Sequence, residues 1–154
     1  MDWFSIHPYP ERAGEPPDKS HPNSTTIGFA DYPKLVRLLG EAFDGTAQPG
    51  SEIPILYSEY GIESEIPPEK AGVYQGGETS RSVPEEVQAS YYRQAFELAV
   101  CQPTVVGLLL FLAVDEKRLD RWQSGIYYWD NEPKTSQPIV KAAIERIQKG
   151  GVRC

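Results

Sequence analysis

Residues 53–61 read IPILYSEYG. Five apolar or aromatic side chains within Ile53–Tyr57, then a serine and a carboxylate, make Ile53–Glu59 a strand that Tyr60-Gly61 ends. Ahead of it lies a helical pattern. Asp31 stands at a capping position, Pro33 falls in the first turn, and Leu35, Val36, Leu38, Leu39, Ala42 and Phe43 form an apolar stripe. Asp44-Gly45 closes that helix. Behind it, a polar loop runs from Ile62 to Arg81, and Ser82 with Glu85 three residues on reads as a capping box. The helix it opens carries Val87, Tyr91, Ala95, Leu98 and Ala99 on one face.

The same unit recurs on both sides. Asp2–Tyr9, DWFSIHPY, alternates so that Trp3, Ser5, His7 and Tyr9 share one face and Phe4 and Ile6 the other. A Pro-rich loop, Pro10–Gly28, follows. Thr104–Val114 is apolar on both faces, as a buried parallel strand is, and ends in Asp115-Glu116. Beyond an irregular stretch and the turn at Asp130–Pro133, Ser136 caps a last helix with Ile139, Val140, Ala143, Ile144 and Ile147 on one side. Strand, long loop and helix therefore alternate three times. That order predicts an α/β fold of three parallel strands (about 2–9, 53–59 and 104–114) with helices on one face. Loops are long after strands and short after helices, which places the chemistry at the carboxyl ends of the strands.

Composition narrows the partners. The 154 residues have room for one domain, and 15 Lys/Arg against 22 Asp/Glu give a net charge of −7, which disfavours nucleic acid. The apolar run Thr104–Val114 is too short to span a bilayer, and the N-terminus lacks the basic and apolar blocks of a signal peptide, so no membrane partner is expected. Glycine and proline together number 27, an excess that points to long ordered loops, given the aromatic content of 11%. Cys101 and Cys154 lack metal-ligand spacing; Cys101 reads as a buried thiol and Cys154 as a frayed end. No phosphate loop or metal motif is present, so no cofactor and no metal is expected.

Glu59 is the most informative residue. On position alone it is either a solvated carboxylate or a catalytic nucleophile or base, a nucleophile being aimed by the rigid strand at an electrophilic carbon. His7 and Tyr9, on the neighbouring strand, are placed to donate hydrogen bonds to it or to a ligand. Asp115 and Glu116 either reach the same site or hold a loop through ion pairs with Lys117, Arg118 or Arg121. Trp122 is a sugar platform or a core residue. His21, in a Pro-rich loop, has no partner legible in sequence.

DWFSIHPYP, IPILYSEYG, and VVGLLLFLAVDE followed by WQSGIYYWDNEPK resemble, in this order, the last three strands of cellulase-like, family 5-type retaining (β/α)8 glycosidases. The resemblance spans residues 1–154 and implies a partial TIM barrel acting on the O-glycosidic bonds of a carbohydrate. Glu59 takes the place of the nucleophile, Tyr60 and Gly61 the aromatic and glycine after it, and His7 and Tyr9 the sixth-strand sugar contacts. Trp122, with Asp115 or Glu116, takes the eighth-strand contacts. The family's acid/base glutamate, in an Asn-Glu pair ending the fourth strand, has no counterpart here. The resemblance therefore implies a fragment, inactive alone, whose partner is the missing N-terminal barrel portion or a second copy. The alternative is a non-catalytic remnant or sugar-binding subunit. Either way, some of Trp3, Ile55, Val105 or Val106, and Leu109 or Leu110 must face a missing interior.

Overall fold

A computed structural model describes residues 2–151 and 154. Its order is β1 (Phe4–Ile6), α1 (Tyr32–Phe43), β2 (Ile55–Tyr60), α2 (Glu85–Val100), β3 (Val105–Leu110) and α3 (Ser136–Gln148), with single 3-10 turns at Phe29–Asp31 and Ala71–Val73. The strands form one open sheet in the order β1-β2-β3, parallel throughout. The α/β reading holds, with each strand shorter than its sequence signal. Asp2, Trp3 and His7–Tyr9 flank β1, and Phe111–Val114 leave the sheet through a cis Phe111-Leu112 peptide.

All three helices bury apolar stripes on one sheet face. Ile55 and Tyr57 have no exposed surface there and belong to one buried cluster with Leu35 and Leu39 of α1, Tyr92, Ala95 and Phe96 of α2, and Val140 and Ala143 of α3. Phe29 joins them, its ring edge-on to Tyr57 at 5.1 Å and to Tyr60 at 4.7 Å. The other face is open. Trp3, Val106 and Leu109 are 57%, 54% and 53% exposed, so of the residues expected to lack cover these three do, while Ile55 lies under the helices. Across that face Ser5 Oγ and Ser58 Oγ hydrogen-bond at 2.6 Å.

Two irregularities break strict alternation. Ile55 pairs with Val105 but Leu56 with Gly107, leaving Val106 as an extra residue that is pushed into solvent. Tyr57 pairs with Leu108 and Tyr60 with Leu110, so β2 carries one extra residue around Ser58-Glu59. Regular alternation would put Glu59 beside Tyr57 under the helices. The extra residue gives that place to Tyr60 and frees Glu59 for the strand end.

The helix starts are near those expected, but the caps differ. Asp31 precedes α1 without capping it, because its carboxylate accepts from His21 and from Gly28 N–H. No capping box forms at Ser82. Pro84 precedes α2, and the Glu85 carboxylate instead accepts from the hydroxyls of Tyr128 and Thr135. Ser136 lies inside α3 and donates to Gln88 Oε1 at 2.8 Å. Asp44 does close α1, followed by Gly45 at a positive φ of 85°. Cys101 is not a free thiol. It forms a disulfide with Cys154 across 5.3 Å between Cα atoms, tying the end of α2 to the C-terminal segment.

Candidate functional site

The carboxyl ends of β1 and β2 converge on a cavity of about 390 Å3 lined by Tyr9, Glu59, Gly61, Glu63, Arg81 and Trp122, among others. Its floor is set by close approach of the chain after β2 to the chain after β3. A Cβ on Gly61 would lie 2.1 Å from the Phe111 carbonyl oxygen, so only glycine fits there.

Glu59 is half-buried. Tyr9 donates its hydroxyl to Glu59 Oε1 at 3.1 Å, and His7 Nδ1 lies 3.7 Å from the same oxygen. Burial first, and the Glu59 charge second, hold the Tyr9 phenol well above its ordinary range, so it stays a donor. Trp122 is half-exposed at the cavity wall, its ring edge-on to Phe111 at 5.8 Å. The structure thus brings Glu59, His7, Tyr9 and Trp122 to one place.

Three other expected residues lie elsewhere. Tyr60 has no exposed surface; it packs edge-on against Phe29 and Tyr92 beneath the sheet, because the extra residue of β2 turns it inward. Asp115 is 2% exposed and accepts from Lys134 Nζ at 2.7 Å, Tyr74 hydroxyl at 2.6 Å and Gly125 N–H at 2.8 Å. It holds the loops together, through Lys134 and not through Lys117, Arg118 or Arg121. Glu116 is exposed outside the cavity and accepts from Trp122 N–H at 3.2 Å, which positions the backbone of the tryptophan.

The structure adds residues that sequence reasoning missed. Glu63 and Arg81 come from the loop 62–81, where polar composition gives no hint of which side chains turn inward. Glu63 is half-buried, and burial, reinforced by Glu78 and Asp115, raises its carboxyl to about 7. Lys134 is fully buried, donating to Ser64 Oγ, Gln123 O and Asp115. Burial draws its ammonium down and pushes the Asp115 carboxyl up, each opposed by the partner's charge. Among the described residues no cluster of three or more His, Cys, Asp or Glu side chains is arranged to hold a metal, and no helix is long and apolar enough to cross a membrane.

No family model and no curated protein matches the chain. Solved structures do. A GH2 beta-galacturonidase from Eisenbergiella tayi superposes with a TM-score of 0.62 at 18% identity, over 94% of this chain and 23% of its own. A family 39 glycoside hydrolase from the gut symbiont Bacteroides cellulosilyticus gives 0.59 at 18%, over 94% and 26%. A beta-glucuronidase from Lactobacillus rhamnosus gives 0.56 at 17%, over 96% and 22%. The chain spans about a quarter of the length of these proteins. The first two are described as families 2 and 39, where the sequence motifs suggest the family 5 type, and at these identities the likeness is one of fold. The chain has the fold of a portion of glycoside hydrolases.

Proposed function

We propose that the chain carries the nucleophile of a retaining glycoside hydrolase site, with Glu59 as that nucleophile and the 390 Å3 cavity as its sugar subsite. The observation that supports this most is the setting of Glu59. It is a half-buried carboxylate at the end of the central strand, oriented by the Tyr9 hydroxyl and opening on a cavity with a tryptophan wall. A carboxylate so held attacks the anomeric carbon, and the ester formed is then hydrolysed, giving net retention. Tyr9 fixes one oxygen, His7 lies within reach of the same atom, and Trp122 offers an aromatic surface to a pyranose ring. The cellulase-like affiliation rests on the motifs DWFSIHPYP and IPILYSEYG.

Glycosyl fluorides test the reading, because fluoride leaves without help from an acid. The chain is expected to hydrolyse one member of a hexosyl fluoride panel with retained configuration in the first-formed sugar, seen by proton NMR. Glu59→Gln should slow that hydrolysis at least a thousandfold, while the variant keeps the wild-type circular dichroism spectrum. Equal rates in the two proteins, or an inverted product, would refute it. Sugar binding without any turnover would favour a binding subunit.

A further inference from the structure

Lys134 lies outside the Glu59 cavity, yet its bonds end on the segments that wall it. Its side chain has no exposed surface. The ammonium has three protons, and each meets an acceptor: Ser64 Oγ at 2.8 Å, Gln123 O at 2.9 Å, and the Asp115 carboxylate at 2.7 and 2.8 Å to its two oxygens. No proton is left for a ligand, so the group acts through what it holds. Ser64 directly follows Glu63, and Gln123 directly follows Trp122. Glu63 and Trp122 both line the cavity.

Each wall depends on its buried neighbour. Gln123 Nε2 donates to Glu116 O and Arg118 O, at 3.3 and 2.8 Å, closing the turn that leads into Trp122. Ser124 Oγ donates to Phe111 O, and the Phe111 ring meets Trp122 edge-on. Between the walls, Ser64 N–H donates to Gln123 O at 3.2 Å, and Lys134 bridges the same two residues. Without the ammonium, Ser64 Oγ loses its donor and Gln123 O loses one of two. Among the described residues, one backbone bond then joins residues 64 and 123.

We propose that Lys134 is a positioning residue of the Glu59 site, fixing the Glu63 and Trp122 walls relative to each other and so the fit of the sugar between them. This rests on the reading of the cavity as a sugar subsite. Glu59 itself is held by β2 and the Tyr9 hydroxyl, neither of which bonds Lys134. Losing the bridge therefore weakens sugar binding and leaves the attack on carbon largely intact. A group displaced by about 1 Å can cost up to about a hundredfold.

The test variant is Lys134→Met with Asp115→Asn, which removes the bridge without stranding a charge. Ser64→Ala cuts one arm and keeps the ion pair, so the test stands if the double variant fails to fold. Val140→Ala, a buried change in α3 outside these hydrogen bonds, controls for lost stability. The three tryptophans are replaced by 5-fluorotryptophan, and the Trp122 fluorine resonance is assigned with Trp122→Phe. That resonance should shift or broaden in the double variant and in Ser64→Ala, but not in Val140→Ala. The resonance of Trp3, on the open sheet face, should stay unchanged in all three. Trapping of Glu59 by an activated fluorosugar supplies the second readout. The double variant should bind the reagent about tenfold or more weakly, with a limiting trapping rate within about threefold of wild type. An unmoved Trp122 resonance in both network variants, or a slower rate at unchanged binding, would overturn the proposal. A wild-type chain that is never trapped sinks the nucleophile reading instead, and the fluorine resonance still decides whether Lys134 sets the wall.

Discussion

Lys134 and Asp115 form an ion pair with no side-chain exposure at 2.7 Å, and each charge survives burial only because the other is present. Lys134→Ala should cost about 3–5 kcal/mol in chemical denaturation, since it strands a buried carboxylate. Adding Asp115→Asn should recover part of that loss; a cost below about 1 kcal/mol for the single variant would mean that water reaches the pair. His21 offers a second test. Its Nδ1 lies 2.7 Å from Asp31 Oδ2, Glu15 approaches its other nitrogen at 3.3 Å, and Lys34 Nζ bonds the carbonyl oxygens of His21, Ser24 and Thr26. The hydrogen bond to Asp31 raises the imidazole above its ordinary 6.5, outweighing burial. Burial pushes Asp31 up, but the bonds from His21 and Gly28 together hold it below 3.8. A raised histidine contributes fully below 6.5 and loses its contribution as pH climbs through its folded value; a depressed aspartate contributes above 3.8 and loses it in acid. The denaturation midpoint of wild type relative to His21→Gln should therefore be greatest between those values and shrink on the alkaline side. A difference that grows above neutral pH would contradict the arrangement.

Three strands and three helices were legible because each has a period of its own: alternation near β1, apolar β-branched runs at β2 and β3, and stripes at helical spacing. The caps were not. Asp31, Glu85 and Ser136 occupy plausible capping positions, but each side chain finds a partner distant in sequence: His21, then Tyr128 with Thr135, then Gln88. The inward turn of Tyr60 was equally hidden, since it depends on one extra residue in the pairing of β2 with β3. Of the site, Glu59, His7, Tyr9 and Trp122 follow from strand ends and motifs, whereas Glu63 needs the path of a twenty-residue loop. The disulfide belongs to this scale because it joins α2 to residue 154 across a separation of 53 residues. By the chain-entropy relation a loop of that length stabilises the fold by about 4 kcal/mol. Cys154→Ser should lower the denaturation midpoint accordingly, and the same should follow from adding a reductant to wild type. A midpoint indifferent to both would show that the bridge carries no constraint.

Among the described residues the open three-stranded sheet leaves one face uncovered and both edges unpaired. Trp3, Val106 and Leu109, each more than half exposed, forgo burial worth roughly 1.5–3 kcal/mol apiece, and β1 and β3 present free backbone donors and acceptors. We propose that a further barrel portion or a second copy covers this face. Light scattering should then find the isolated chain associated, or a monomer that binds a dye reporting apolar surface. Leu109→Lys should reduce both signals, and a dye-silent wild-type monomer with a cooperative melt would refute the expectation. The central claim, that Glu59 attacks an anomeric carbon, is tested most directly by covalent capture. The chain is incubated with a panel of 2-deoxy-2-fluoro glycosyl fluorides, digested and mapped by tandem mass spectrometry. The expected result is one adduct, of the mass of a single fluorosugar, on Glu59 and absent from Glu59→Gln; an adduct on another carboxylate, or one persisting in that variant, would contradict it.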